Sequence, residues 1–280
     1  MSAFADRAAA ELTGPQAALP LGTTTARVER PGQRPVALAL ATELGVRFVE
    51  RRERGVERTL DEEGLASLVV VSAEGIFWQP RAGGRFFFHP NMAFVRIRSA
   101  ERSGLADPLV RAARIAPGDR VLDATLGLGA DAIVVSHTLG AAGTLVGIEA
   151  SPLIAALVRR GLATYPHRLA PALRRIEVVR GDHRALLADP AWAGGGWDAI
   201  LFDPMFERTV SASNGLDGVR LLACYDRLAP APLAAARRLV RKAVVVKGRR
   251  EDGCLASLGP DHIVHGRHNR VAYGVFEPLV

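Results

Sequence analysis

Between Val121 and Asp131 the chain reads Val-Leu-Asp-Ala-Thr-Leu-Gly-Leu-Gly-Ala-Asp, which puts two carboxylates and two glycines within eleven positions. Gly127 and Gly129 would let the backbone come close to a ligand, because neither carries a side chain to hold it away. Gly127-Leu-Gly-Ala-Asp-Ala132 also satisfies the dinucleotide pattern G-x-G-x-x-G/A, so the glycines alone do not choose a ligand. Asp123 chooses. A carboxylate at the end of a strand would repel the diphosphate of NAD, yet it suits the ammonium of a methionine moiety. The expected cofactor is therefore S-adenosyl-L-methionine, against the plainer reading of a glycine turn with a surface aspartate.

Glu149 stands twenty positions after Gly129, where a carboxylate can accept both hydroxyl hydrogens of a ribose. Gly181-Asp182-His183 falls where an adenine ring would be gripped, with Asp182 facing its exocyclic amine. Asp182 is read equally well as an N-cap for the turn after it. Asp203-Pro204-Met205-Phe206 bears on reaction type. The lone pair of a nucleobase amine is delocalised into its ring, which makes the nitrogen a poor nucleophile. The Asp203 carboxylate and the Pro204 carbonyl could accept its two hydrogens and turn the lone pair toward an electrophile. Phe206 could stack on the base, beside an apolar wall at Met205. Such a site works by in-line positioning and arranged dipoles and needs no strong base. The competing reading is a strand-end Asp-Pro turn with a buried Met-Phe pair.

These residues require strands and helices to hold them. Strands are predicted at Arg120–Asp123, Thr144–Glu149, Ile176–Arg180, Asp198–Phe202 and Ala243–Lys247, with helices at Gly129–Leu139, Pro152–Leu162 and about Leu216–Val240. Alternation of this kind predicts an α/β fold, a mostly parallel sheet with helices on both faces. His262–His265 and Val271–Phe276 read as a closing hairpin, which adds one antiparallel strand. Upstream, a helix at Val36–Leu44, a short strand at Arg47–Glu50, a helix at Asp61–Ser67 and strands at 68–72, 75–79 and 85–89 describe a small α+β domain over residues 35–105. Residues 1–34 are expected to be a mobile leader and 106–280 the cofactor-binding domain.

The net charge is +7 and the isoelectric point about 10.3, which favours a polyanionic partner such as RNA. All the basic residues except Lys242 and Lys247 are arginines, and seven of them lie within Arg47–Arg85, so that unit's outer face is expected to be basic. Two cysteines thirty positions apart offer neither a metal spacing nor a disulfide framework. No apolar run approaches the roughly 20 residues of a membrane span, so no membrane partner, no metal and a cytoplasmic location are expected.

Taken together, these segments resemble the ribosomal small-subunit RNA methyltransferase J family, guanine-N2 methyltransferases of 16S rRNA. The resemblance runs from about Val36 to the C-terminus and is densest at 121–131, 147–162, 201–206 and 244–247. It implies the class I methyltransferase fold, Rossmann-like, and a guanine N2 acceptor in small-subunit ribosomal RNA or its particle. It also implies cofactor contacts at Ala130-Asp131, Glu149-Ala150, Asp182-His183 and Asp203. The chain departs from the family after Phe206, where Glu207-Arg-Thr-Val stands in place of a proline and a basic run. Lys247, His89 and Asn91 are weaker candidates, for a phosphate and for the acceptor side. The rival readings are a methyltransferase of small molecules or proteins, a nicotinamide-dependent oxidoreductase, and a non-catalytic RNA-binding module.

Overall fold

Among the described residues, five strands before residue 90 and seven after residue 119 sort into two sheets in the computed structural model. It describes residues 20–81, 83–189, 192, 196–204, 228–251, 253–266 and 270–279. The large sheet contains β6 (Arg120–Asp123), β7 (Thr144–Glu149), β8 (Ile176–Arg180), β9 (Trp197–Phe202), β10 (Val240–Arg249), β11 (His262–His265) and β12 (Val271–Phe276). Their order is β11-β12-β10-β9-β6-β7-β8, and β12 alone runs antiparallel to its neighbours. The order reverses between β6 and β9, which is where ligands bind in open α/β sheets, outside the carboxyl ends of the strands.

Both faces of this sheet are covered, which is why its strands are nearly continuous apolar runs rather than alternating ones. One face packs Val121, Leu145, Val178 and Leu201 against α4 (Pro108–Ala112), α5 (Ala130–Leu139), α6 (Pro152–Thr164) and α7 (Ala170–Arg174). The other packs Leu122, Val146, Ile200 and Val244 against α8 (His183–Ala188), α9 (Pro230–Leu239) and α10 (Cys254–Ser257). The part of the expected Leu216–Val240 helix that precedes residue 228 lies outside the described residues. Among the described residues no helix is long and apolar enough to cross a membrane.

The small sheet has the order β2-β1-β3-β4-β5, formed by β1 (Leu21–Thr25), β2 (Arg47–Phe48), β3 (Ser67–Ser72), β4 (Gly75–Pro80) and β5 (Phe86–Phe87). This corrects the expectation of a mobile leader reaching residue 34. Leu-Gly-Thr-Thr-Thr is polar to read but β-branched, and it lies between two parallel partners. Its hydroxyls are satisfied in the interior: Thr23 donates to the Ala37 carbonyl at 3.0 Å and Thr24 to that of Val49 at 2.8 Å. A second correction concerns the helix expected over 61–67. Helix α2 spans Val56–Glu62, Gly64 turns the chain at a φ of +63°, and Ser67 already pairs with Pro80.

Two helices join the sheets. Helix α1 (Gln33–Leu44) packs on β1 and on α6, and α3 (Asn91–Ser103) packs on α5. Residues of the small sheet (Val69, Val71, Trp78, Phe86) share one buried cluster with α5 and α6 of the large one. The approach is close at Gly161 of α6, where a Cβ would stand 2.2 Å from the Phe88 ring.

Candidate functional site

Four strand ends converge at the reversal point. Asp123 closes β6, opposite Gly147 of β7 and Leu201 of β9, and only 3% of it is exposed. Its Oδ1 accepts the Thr125 N–H at 3.1 Å. Burial, with the charge of Asp131 adding to it, pushes the Asp123 carboxyl up to about 8. The loop after it is tied on both sides. The Leu126 N–H donates to the Ile148 carbonyl at 2.8 Å, and Thr125 Oγ1 accepts the Asp203 N–H at 2.6 Å. Gly127 and Gly129 adopt φ of +51° and +74°, a region in which a side chain is strained.

Glu149 closes β7. Its Oε2 accepts the Gly127 N–H at 2.9 Å and its Oε1 the Ser151 N–H at 2.8 Å, so one carboxylate fixes the glycine loop and the start of α6. Burial raises its pKa, opposed by the backbone N–H groups of Ser151, Gly127 and Ala150. Three N–H groups on about four lone-pair sites leave one site for a further donor. Ala130 and Ala150 stand half-buried at the two loop-to-helix junctions.

Asp131, in the first turn of α5, anchors a chain of charges. It pairs with Arg96 of α3 and, at 2.8 Å, with Lys247 Nζ of β10; Lys247 Nζ then lies 2.6 Å from Asp203 Oδ2. Arg96 also holds both oxygens of Asp107, at 2.8 and 3.0 Å. Register explains the reach of Lys247. Val246 pairs with Phe202, which places the next residue of β10 beside the turn at Asp203. The Asp131 carboxyl is held well below the usual range by Lys247 and Arg96 against the cost of burial, and both cations are held above theirs. Burial, the largest influence, and the charge of Asp131 push the Asp203 carboxyl up, with Lys247 opposing. Tyr273 borders the group, and burial raises its hydroxyl to about 12.

The site therefore holds four carboxyl groups (Asp107, Asp123, Asp131, Asp203) against two cations. Asp123 is the acid that a ligand bearing positive charge would ionise, and a group so rich in carboxyls disfavours a diphosphate. Among the described residues no group of three or more His, Cys, Asp or Glu side chains is arranged to hold a metal ion.

Asp182 and His183 lie at the start of α8. Asp182 caps that helix, accepting the Arg184 N–H at 2.8 Å, and its carboxylate is also gripped by the Arg184 guanidinium. The His183 ring stands edge-on to Phe202, 5.6 Å between centroids. Asp203 and Pro204 follow β9, and 43% of the Asp203 side chain is exposed. Met205 and Phe206 lie outside the described residues. Two weaker candidates are otherwise employed: the Lys247 ammonium is bound by two carboxylates, and His89 Nδ1 accepts the Asn91 N–H at 3.3 Å.

Sequence reasoning missed Asp107 and Thr125, and it left Arg96 without its role. No spacing rule connects Arg96 to Asp131 across 35 positions. The available signal was an arginine on an otherwise apolar helical stripe, flanked by Ala93 and Ile97, both buried.

Residues 88–276 match the protein family described as "Putative SAM-dependent methyltransferase". The protein YpiP of Bacillus subtilis is 37% identical over 226 residues, covering 78% of this chain and 85% of its own length. Ribosomal RNA small subunit methyltransferase J of Pseudomonas fluorescens is 33% identical over 258 residues, covering 85% and 95%. The crystal structure of a SAM-dependent methyltransferase from Neisseria gonorrhoeae superposes with a TM-score of 0.62 at 20% identity, covering 92% of this chain and 96% of that one, which bears on the fold.

Proposed function

Because the chain belongs to the SAM-dependent methyltransferase family that includes ribosomal RNA small subunit methyltransferase J, it takes S-adenosyl-L-methionine as methyl donor, and we propose that its acceptor is the exocyclic N2 of a guanine in small-subunit ribosomal RNA. The observation that carries the reading is the carboxyl-rich strand-end cluster around Asp123, joined to an Asp203 whose second oxygen has no hydrogen bond among the described residues. S-adenosylmethionine, when bound, supplies an electrophilic methyl group on a sulfonium.

In this reading Asp123 faces the ammonium of the methionine moiety, and Glu149 turns its remaining lone pair to a ribose hydroxyl. Ala130, Asp131 and Ala150 border the donor through the two loops that Glu149 and Gly127 hold together. Asp182 and His183 border the adenine.

Asp203 and Pro204 act on the acceptor. Lys247 takes Asp203 Oδ2, while Oδ1 makes no hydrogen bond among the described residues and is available to an amine N–H. The Pro204 carbonyl would accept the second N–H, and Phe206 would stack on the base. Two fixed acceptors orient the nitrogen lone pair, and the proton it becomes able to lose after methylation leaves toward Asp203 or solvent. The names of the relatives support a ribosomal RNA acceptor, and such a substrate implies a cytoplasmic location.

The test is to incubate undermethylated 30S particles with isotopically labelled donor and map the label by mass spectrometry. Label at guanine N2 is expected. Label on a metabolite or a protein, with none on the RNA, would replace the proposal by a methyltransferase of another acceptor class.

A further inference from the structure

Four of the seven arginines between Arg47 and Arg85 are neutralised locally: Arg47 by Glu63, Arg54 by Glu62 and Glu63, Arg58 by Glu62, and Arg81 by Asp61. The remainder of that basic face narrows to Arg51, Arg52 and Arg85. Among the described residues none of the three pairs with a carboxylate. Arg51 is 8% exposed, and its guanidinium donates only to carbonyls, that of Arg54 at 2.9 and 3.2 Å and that of Thr25 at 3.3 Å. Burial lowers its pKa, and the positive charges of Arg27 and Arg85 lower it further. Arg27 and Arg85 are themselves exposed and without a carboxylate partner among the described residues.

This cluster continues into an apolar strip. Arg85 lies over the Phe77 ring, 4.6 Å from its centroid, and Phe77 pairs across the sheet with Phe87 of the edge strand. Phe87 is 52% exposed, and its ring meets that of His89 edge-on at 5.8 Å. The next helix, α3, exposes Met92, Val95 and Arg98, while Arg96 on the same helix turns inward to Asp131. Guanidinium groups without anions thus adjoin exposed rings on a path that ends at the helix supplying the site.

Like charges gathered around a buried guanidinium oppose folding unless an anion relieves them. Phosphates do so by displacing condensed counterions, and a bare ring beside them offers unpaired bases a stacking surface. We infer that Arg27 and Arg85, above the buried charge of Arg51 and with Phe87 beside them, form a docking surface for the phosphodiester backbone of the RNA acceptor. The inference rests on the RNA reading above and adds to it a contact region outside the methyl-transfer site.

The probe is an unmodified small-subunit ribosomal RNA transcript, titrated by fluorescence anisotropy at several salt concentrations. The full-length Arg27→Ala/Arg85→Ala variant is expected to bind it roughly tenfold or more weakly, with a salt slope smaller by about two. Its affinity for S-adenosylmethionine by calorimetry should be unchanged. If the unfolding midpoint also falls, the Arg27→Lys/Arg85→Lys variant decides: recovered binding supports the surface, and its absence overturns it. Wild-type binding with unchanged affinity and slope in the alanine variant refutes the surface and leaves the RNA acceptor standing. A wild-type protein that neither binds nor labels RNA ends the acceptor reading and this inference with it. Arginine-dependent binding to anionic lipid vesicles, without a response to RNA, also overturns the inference.

Discussion

Lys247 Nζ lies 2.6 Å from Asp203 Oδ2 and only 2.8 Å from Asp131 Oδ2, so one ammonium joins the glycine loop of the first strand to the turn after the fourth. Asp203 is thereby held by its side chain and, through its N–H on Thr125, by its backbone. Its remaining oxygen is positioned before any acceptor arrives.

Asp203→Asn is accordingly expected to lower kcat by about 10²-fold or more while leaving donor affinity nearly unchanged, because a neutral amide weakens the contact that orients the acceptor. Single-turnover methyl transfer together with calorimetric titration of the donor checks this. A variant that retains full kcat would remove Asp203 from the acceptor side.

Removing the ammonium by Lys247→Met leaves Asp131 and Asp203 facing each other with one fewer cation. The cost should be about 2 kcal/mol, below the level of fully buried pairs because the Asp203 side chain is 43% exposed. Denaturant unfolding measures it. The double variant Lys247→Met/Asp203→Asn should recover part of the loss, since it deletes both partners.

Asp123 gives the site a pH signature. Its folded pKa, about 8, lies above the ordinary carboxyl value near 4, so the protonated form favours the fold. That contribution is complete below about pH 4 and is lost as pH rises through about 8. Thermal melts of the unliganded protein should therefore weaken from pH 5 to 8.5, and less so in Asp123→Asn. If Asp123 meets a cationic ligand it must ionise, so donor binding at pH 7 should release about one proton. Calorimetry in two buffers of different ionisation enthalpy counts it; no release would separate Asp123 from the ligand.

Gly147 tests the coupling between sheet and loop. A Cβ there would stand 2.6 Å from Leu126 Cδ1, so the buried Leu126 side chain must shift next to Gly127 and its bond to Glu149. Gly147→Ala should cost about 1–3 kcal/mol of stability and weaken donor binding. Unchanged donor affinity in a destabilised variant would mean the loop re-forms independently of the strand.

The parts of the molecule that could be read from residue types are those whose environment follows from local pattern. Strands such as Thr144–Glu149 and Val271–Phe276 are buried on both faces and therefore spell out their own limits. That Asp123 and Gly127 share one turn was legible because that loop is short and contiguous. β1 was missed because its threonines look solvated until the carbonyls of Ala37 and Val49 are known to receive them. α3 was missed for a related reason. Its buried stripe is narrow, Ala93 and Ile97, and the arginine between them gains its partners only through tertiary packing.

The source of Arg96 bears on how this enzyme can be cut. α3 precedes residue 106, the expected start of the cofactor-binding domain, yet its guanidinium neutralises Asp131 at the mouth of the glycine loop. A fragment beginning at residue 106 would carry every strand of the large sheet and still be electrically incomplete. The amino-terminal part is then a component of the candidate site's wall, and an insertion or fusion between the halves must preserve the attitude of a single helix.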